Sequence, residues 1–159
     1  MTDELIQAFS KRVTQANQSE LTVITYEITI QYLDDAIEAL GNGDVDNYIV
    51  YNSKAREFIR ELMAALVYNN EIAYNLIKIY SYIHKLLITA EYDKDVEKLE
   101  ISRRLMDTLL VGFREVAEKD SSQAVMMNTQ QVYAGLTYGR GYLNETLMDA
   151  GVTNRGFKA

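Results

Sequence analysis

The most constraining feature of this sequence is the absence of proline from all 159 residues. Proline ends or kinks helices because it lacks a backbone N–H and clashes with the preceding turn, so a chain without it can form long, uninterrupted helices. Apolar residues recur at three- and four-residue steps along most of the chain, which is the spacing of one helix face. A chain of this length suits one domain. We therefore predict an all-α protein.

Residues typical of helix termini divide the chain into four long helical segments. Asn17 and Glu20 have the spacing of a capping box, in which two residues satisfy each other's backbone N–H groups, so the first segment begins there. The further boundaries are, in order, Gly41-Asn42-Gly43, Asp44, Asn69-Asn70 and Asp93-Lys94-Asp95. Connections of only a few residues force neighbouring helices to run antiparallel, so we predict an up-down-up-down four-helix bundle.

Each segment carries an apolar stripe that predicts its buried side. In the first segment, the β-branched residues from Thr22 to Thr25 would also suit a strand, but the three- and four-residue spacing favours a helix. Its stripe is Leu21, Ile24, Ile28, Tyr32, Leu33, Ile37 and Leu40, and that of the third segment is Ile72, Leu76, Ile79, Ile83, Leu86, Leu87 and Ala90. We expect these stripes to form the bundle core.

Two flanking pieces lie outside the four segments. Residues 1–16 contain helix-spaced apolar residues between Leu5 and Val13, which predicts a short amphipathic helix lying on the bundle. Repeated glycines and several tyrosines follow residue 120, so we expect a C-terminal extension that is flexible or partly helical, with 125–132 as its helical part. We accordingly divide the chain into a bundle over residues 1–119, which includes the N-terminal helix, and an extension over residues 120–159.

Several function classes are disfavoured by what the sequence lacks. The formal net charge of −7 argues against nucleic-acid binding, which draws on clustered lysine and arginine. There is no cysteine, and the single histidine, His84, stands in no Glu-x-x-His motif, which argues against thiolate catalysis and a di-iron centre. Neither a signal peptide nor an apolar run long enough to span a membrane is present. We therefore predict a protein that is not an enzyme, has no catalytic, metal-binding or cofactor-binding residues, needs no cofactor and binds another protein segment.

Several different short motifs follow one another in a fixed order along the chain. The stretch from Asn70 to Tyr82 reads Asn-Glu-Ile-Ala-Tyr-Asn-Leu-Ile-Lys-Ile-Tyr-Ser-Tyr. Further motif residues are the lead-in from Val13 to Leu21, then Tyr26, Lys54-Ala55, Ile59, Glu61-Leu62, Ala90, Asp95 and Phe113. Over residues 13–117 this order resembles the FliS family of flagellin export chaperones, whose third-helix pattern is Gly-Glu-Ile-Ala-x-Asn-Leu-x-x-Leu-Tyr-x-Tyr.

The resemblance implies a function in flagellum assembly. A FliS-like protein works in the bacterial cytosol, where it binds the disordered C-terminal segment of flagellin in apolar grooves between its own helices. Binding prevents premature polymerisation and aids delivery to the flagellar export apparatus. Residues near the stripe edges of the matched second and third helices are implied as partner contacts: Tyr51, Lys54, Ala55, Phe58, Leu62, Leu76, Ile79, Tyr80 and Ile83.

Departures from the family pattern leave other interpretations open. Tyr26-Glu27-Ile28 stands where the family has Tyr-Asp-Gly, and the C-terminal extension is longer than usual. One alternative is a FliS-like adaptor or regulator with a different protein partner, and another is a helical-bundle enzyme or metal carrier. We also expect the segment 122–159, which contains the apolar Val125-Met126-Met127 and the later tyrosines, to dock on the protein's own client groove and compete with flagellin.

Overall fold

The computed structural model describes residues 1–126, which form five helices with no strand among them. In chain order the helices are α1 (Asp3–Gln15), α2 (Gln18–Gly41), α3 (Val45–Ala64), α4 (Glu71–Asp93) and α5 (Val96–Lys119). The all-α class and the short N-terminal helix ahead of four longer ones are thereby confirmed. Most of the C-terminal extension, including nearly all of the helix expected at 125–132, lies outside the described residues.

Each long helix begins directly after a residue at one of the boundaries that the sequence predicts. The Asn17 side-chain oxygen accepts a hydrogen bond from the Glu20 N–H (2.9 Å), and the Glu20 carboxylate accepts one from the Asn17 N–H (3.0 Å), so the capping box is present. The N-caps of α3, α4 and α5 are Asp44, Asn70 and Asp95. These side chains satisfy backbone donors that a helix leaves unpaired in its first turn.

The end of α3 differs from the prediction. The helix stops at Ala64, five residues before Asn69, where the sequence places its boundary. The chain then tightens, because the Leu66 N–H donates to the Met63 carbonyl (3.3 Å) in place of a regular helical bond. No glycine or proline marks this terminus, so the sequence carries no local signal for it. A six-residue connection, 65–70, therefore separates α3 from α4.

Helix α2 lies at the centre of the bundle. It packs against α1, α3 and α5, and its Tyr26 ring also reaches Tyr80 of α4. The buried residues of α2 are Val23, Ile24, Tyr26, Thr29, Ile30, Leu33, Ala36 and Ala39. The predicted stripe is partly correct, because Ile24 and Leu33 are buried and Tyr32, Ile37 and Leu40 are half-buried against the core, but the buried Tyr26 and Ile30 lie outside it. A helix surrounded by neighbours buries more than one face, which a single stripe does not describe.

The remaining contacts complete a helix bundle. Helix α3 packs against α4, α4 packs against α5, and α5 returns to α2. Asn52 of α3 donates from its side-chain amide to the Leu87 carbonyl of α4 (2.9 Å), and Arg103 of α5 pairs with Asp34 of α2. The four long helices thus enclose one hydrophobic core.

Three buried tyrosines use their hydroxyl groups to join helices. The hydroxyls of Tyr26 and Tyr80 hydrogen-bond to each other, and Phe113 of α5 stacks on Tyr26 with ring centroids 4.9 Å apart. Tyr48 of α3 donates to the Ala90 carbonyl of α4 (2.5 Å). Burial raises the pKa of Tyr26 and raises the pKa of Tyr48 to about 12. These hydroxyls therefore remain protonated donors at neutral pH.

Helix α1 is held to the bundle by charged groups. None of its residues is buried, but Arg12 pairs with Glu27 of α2, and Arg114 of α5 donates to the same carboxylate (2.9 Å). Burial alone would raise the pKa of Glu27, but the hydrogen bonds from the two arginines outweigh it and lower the pKa. One carboxylate thus joins three helices.

The hydroxyl pair of Tyr26 and Tyr80 gives a test of the core. Tyr26→Phe should lower the free energy of unfolding by about 1–3 kcal/mol, because it leaves the Tyr80 hydroxyl buried without that partner. The double variant Tyr26→Phe/Tyr80→Phe should lower the free energy of unfolding by less than the sum of the two single losses. Urea unfolding of all four proteins measures the coupling, and strictly additive losses would contradict the hydrogen bond.

Candidate partner-binding site

The structure divides the nine predicted contact residues by exposure. Five are buried, none more than 8% exposed: Ala55, Leu62, Leu76, Tyr80 and Ile83. Tyr51, Phe58 and Ile79 are half-buried, and Lys54 is exposed. The nine residues therefore do not form one continuous surface, and their role as partner contacts stays a prediction.

Three of the nine meet in a groove between α2 and α3. Tyr32 of α2 stacks on Phe58 with ring centroids 5.8 Å apart, and its ring lies 6.4 Å from that of Tyr51. Lys54 borders the same depression, and its ammonium group pairs with Glu57 at 2.9 Å. This aromatic groove offers flat apolar rings flanked by charges, which suits a partially apolar helix. Tyr32, which the sequence assigns to the core, packs half-buried against the core and also lines this groove.

A second opening lies at one end of the bundle. It forms where α2 and α4 begin, α3 ends and α5 contributes one aromatic side chain. Its volume is about 300 Å³. Its lining residues are Gln18, Thr22, Leu62, Ala65, Leu66, Val67, Asn69, Asn70, Ile72, Ala73, Leu76, Tyr80 and Phe113. We call it the bundle-end pocket. None of these residues is charged, although a quarter of the whole chain is.

The rim of the bundle-end pocket exposes large apolar side chains. Val67 and Ile72 are each 69% exposed, and the half-exposed rings of Tyr68 and Tyr74 lie 6.0 Å apart beside them. The early end of α3 creates this rim, since residues 65–70 leave the helix without covering the pocket. The prediction that Ile72 belongs to the core is therefore wrong. A cluster of exposed apolar residues around a concave site is typical of a binding surface.

A larger opening, of about 500 Å³, lies between α1, α2 and α5. It is lined by charged residues, namely Arg12, Glu20, Glu27, Arg114 and Glu118, together with five uncharged ones. Three of these charged side chains are already paired with one another, because the guanidinium groups of Arg12 and Arg114 both bind the Glu27 carboxylate. An apolar segment placed here would have to strip water from charged groups, which is unfavourable. The smaller bundle-end pocket is therefore the better site for an apolar partner.

Residues 1–126 offer few side chains suited to metal binding or catalysis. Within residues 1–126, no group of three or more histidine, cysteine, aspartate or glutamate side chains is placed to hold a metal ion. His84 is half-buried on α4, where burial and the nearby Arg56 and Arg60 lower its pKa. None of the five described helices is both long enough and apolar enough to cross a membrane. The surface features described above suit non-covalent binding of another chain.

The residues of the bundle-end pocket differ in how much they contribute to the stability of the fold. Leu76→Ala should lower the free energy of unfolding by about 2–5 kcal/mol, because it opens a cavity in the core. Ile72→Glu, one turn away on the rim, should change it by less than about 0.5 kcal/mol, because this side chain is mostly exposed. Chemical denaturation of both variants measures the difference. A large loss for Ile72→Glu would mean that the side chain belongs to the core.

A comparison with known proteins identifies the family. The family model described as flagellar protein FliS matches residues 1–120. No curated protein matches the chain. The matched range takes in α1 to α5 and every residue of the aromatic groove and the bundle-end pocket. Because the match covers 120 of the 159 residues, the chain belongs to the FliS family of flagellar proteins.

Proposed function

We propose that this protein is a cytosolic export chaperone that binds the C-terminal segment of flagellin. Membership of the FliS family supports a flagellar export chaperone role in general. The observation that favours a flagellin segment as client is the uncharged bundle-end pocket with its exposed apolar rim. Such a site suits an amphipathic helix that inserts one or two apolar side chains.

The physical role of binding follows from the state of the client. A disordered segment exposes apolar residues that would otherwise pair with those of another subunit. Ordering that segment on the chaperone consumes part of the interaction free energy, so the complex can be specific and still release its client. Bound flagellin would stay unpolymerised until it reaches the export apparatus.

The predicted contact residues acquire different roles in this proposal. Leu62, Leu76 and Tyr80 are buried in the core, yet they line the bundle-end pocket and would meet a side chain inserted there. The aromatic groove would supply Tyr51, Lys54 and Phe58 to a more distant part of the client. Ala55 and Ile83 are fully buried and would act by shaping the helices that carry the other contacts.

The proposal includes an up-down-up-down order of the four long helices. Contacts between α2 and α5 support it, because Glu27 pairs with Arg114 whereas the later Asp34 pairs with the earlier Arg103. Antiparallel neighbours would bring the start of α2 and the end of α3 to the same end of the bundle. We also retain the division into a bundle over residues 1–119 and an extension over residues 120–159.

The second candidate is a FliS-like adaptor with another protein partner. The observation that favours it is Glu27, which stands at the family's Tyr-Asp-Gly motif and binds two arginines from α1 and α5. A partner that binds the surface around Glu27 could be a protein other than flagellin. Purification of the protein from its native cell, followed by identification of the bound chain, separates the two candidates.

Titration with the C-terminal peptide of the host's own flagellin tests the proposed function. We expect saturable binding to the native chain, and Ile72→Glu should weaken it at least tenfold, because a carboxylate on the rim would be desolvated, at a cost of roughly 1.4 kcal/mol or more. Calorimetry measures the affinity.

Ile88→Glu is the matched control for this titration. It makes the same change on the same helix, about 24 Å away, at an exposed position that does not line the bundle-end pocket. Equal weakening by both variants would contradict the location of the site. A dissociation constant weaker than high micromolar for the native chain would favour the adaptor.

A further inference from the structure

The segment that follows α5 folds back onto the start of α2. The Asn17 side-chain amide donates to the Asp120 carbonyl (3.1 Å) and to the Ser122 carbonyl (3.4 Å). The Asp120 carboxylate accepts hydrogen bonds from the Ser19 hydroxyl and from the Ser122 N–H (2.9 Å). We call these four residues the C-terminal clasp. Its carboxylate remains ionised at neutral pH, since the hydrogen bonds from Ser122 and Ser19 lower the pKa of Asp120 to about 2.

The clasp continues into a contact with the corner between α1 and α2. The Val125 N–H donates to the Ala16 carbonyl (3.0 Å), so the chain is held at this corner up to the last described residue, Met126. Asn17 is only 5% exposed and also caps α2, which ties the clasp to a fixed part of the fold. The path of the extension therefore starts from one defined point.

That point lies at the same end of the bundle as the bundle-end pocket. Gln18 and Thr22, which line the pocket, belong to the first turns of α2, directly after the clasp residue Asn17. The chain spans at most about 3.3–3.6 Å per residue, so the stretch beyond Met126 is long enough to cross this end of the bundle. Thirty-three residues follow Met126, because the chain ends at 159.

The composition of the first part of the extension matches that of the pocket. From Ser121 to Gly139 the sequence carries no charged residue, although charged residues make up a quarter of the chain. Apolar side chains occur within this stretch at Met127, Val132 and Tyr133. An uncharged segment can enter an uncharged pocket without leaving a buried charge unpaired.

We propose that apolar side chains of the stretch after Met126 occupy the bundle-end pocket when no client is bound. The clasp fixes their exit at the end of the bundle that carries the pocket, and the tether gives them an effective concentration that can reach millimolar. A client helix then has to displace them, so its affinity measured on the full chain is lower than its intrinsic affinity for the pocket. The competition rests on the proposed function, but the occupancy of the pocket does not.

Thiol reactivity in the full-length protein tests the occupancy without any client. The sequence has no cysteine, so Ile72→Cys places a single reporter on the rim. We expect its rate of reaction with a soluble thiol reagent to rise about fivefold or more when Met127→Asp and Val132→Asp are added, because charged side chains disfavour docking.

Two controls make this result specific. Gln130→Asp with Gln131→Asp adds the same two charges to the same stretch at polar positions, and it should leave the rate at residue 72 nearly unchanged. Ile88→Cys, on the same helix outside the pocket, should react at one rate in all backgrounds. Equal rates at residue 72 in the native and Met127→Asp/Val132→Asp extensions would overturn the proposal, as would equal acceleration by both pairs or a parallel change at residue 88.

Peptide titration then separates this proposal from the proposed function. If the thiol is protected and the Met127→Asp/Val132→Asp variant binds the flagellin peptide more tightly than the native chain, both hold. If the thiol is protected and no flagellin peptide binds, the extension occupies the pocket but the client is a different protein. If flagellin binds and the thiol is not protected, the self-docking is wrong and the chaperone function stands.

Discussion

The fold depends on the burial of α2 among all the other helices. Tyr26 of α2 makes the arrangement of the helices specific, because its hydroxyl hydrogen-bonds to Tyr80 of α4 while its ring stacks on Phe113 of α5. Apolar contacts alone would tolerate a rotation or slip of these helices, but a buried hydroxyl pair is satisfied in few arrangements. The position of three helices relative to one another is thus set by one aromatic cluster.

The candidate site shares residues with that cluster. Tyr80 and Phe113 take part in the aromatic core and also line the bundle-end pocket. A side chain inserted into the pocket would therefore contact groups that are already held in place by the core. Binding to a rigid floor needs little ordering of the chaperone, so the entropic loss falls mainly on the partner. In the proposed complex, the part that orders on binding would then be the client and not the bundle.

The sequence predicts what local chemistry decides and misses what distant packing decides. The capping box at Asn17 and the boundaries at Asp44 and Asn70 follow from side chains that bond to backbone within three residues. The exposure of Ile72 depends on where α3 stops, and Ala64 carries no local stop signal. Tyr32 packs against the core, as its stripe predicts, and also lines the aromatic groove, because a central helix packs on more than one face.

The distribution of charge explains how one acidic chain can present an apolar pocket. In the opening between α1, α2 and α5, Arg12 and Arg114 satisfy Glu27, so that surface is polar and internally paired. The bundle-end pocket has no such pairs, and water there meets only apolar and neutral polar groups. An apolar segment gains free energy only at the second site, because at the first the loss of charge hydration offsets it. If the protein binds as proposed, its selectivity for apolar segments would thus arise from where the charges are paired as much as from where the apolar residues lie.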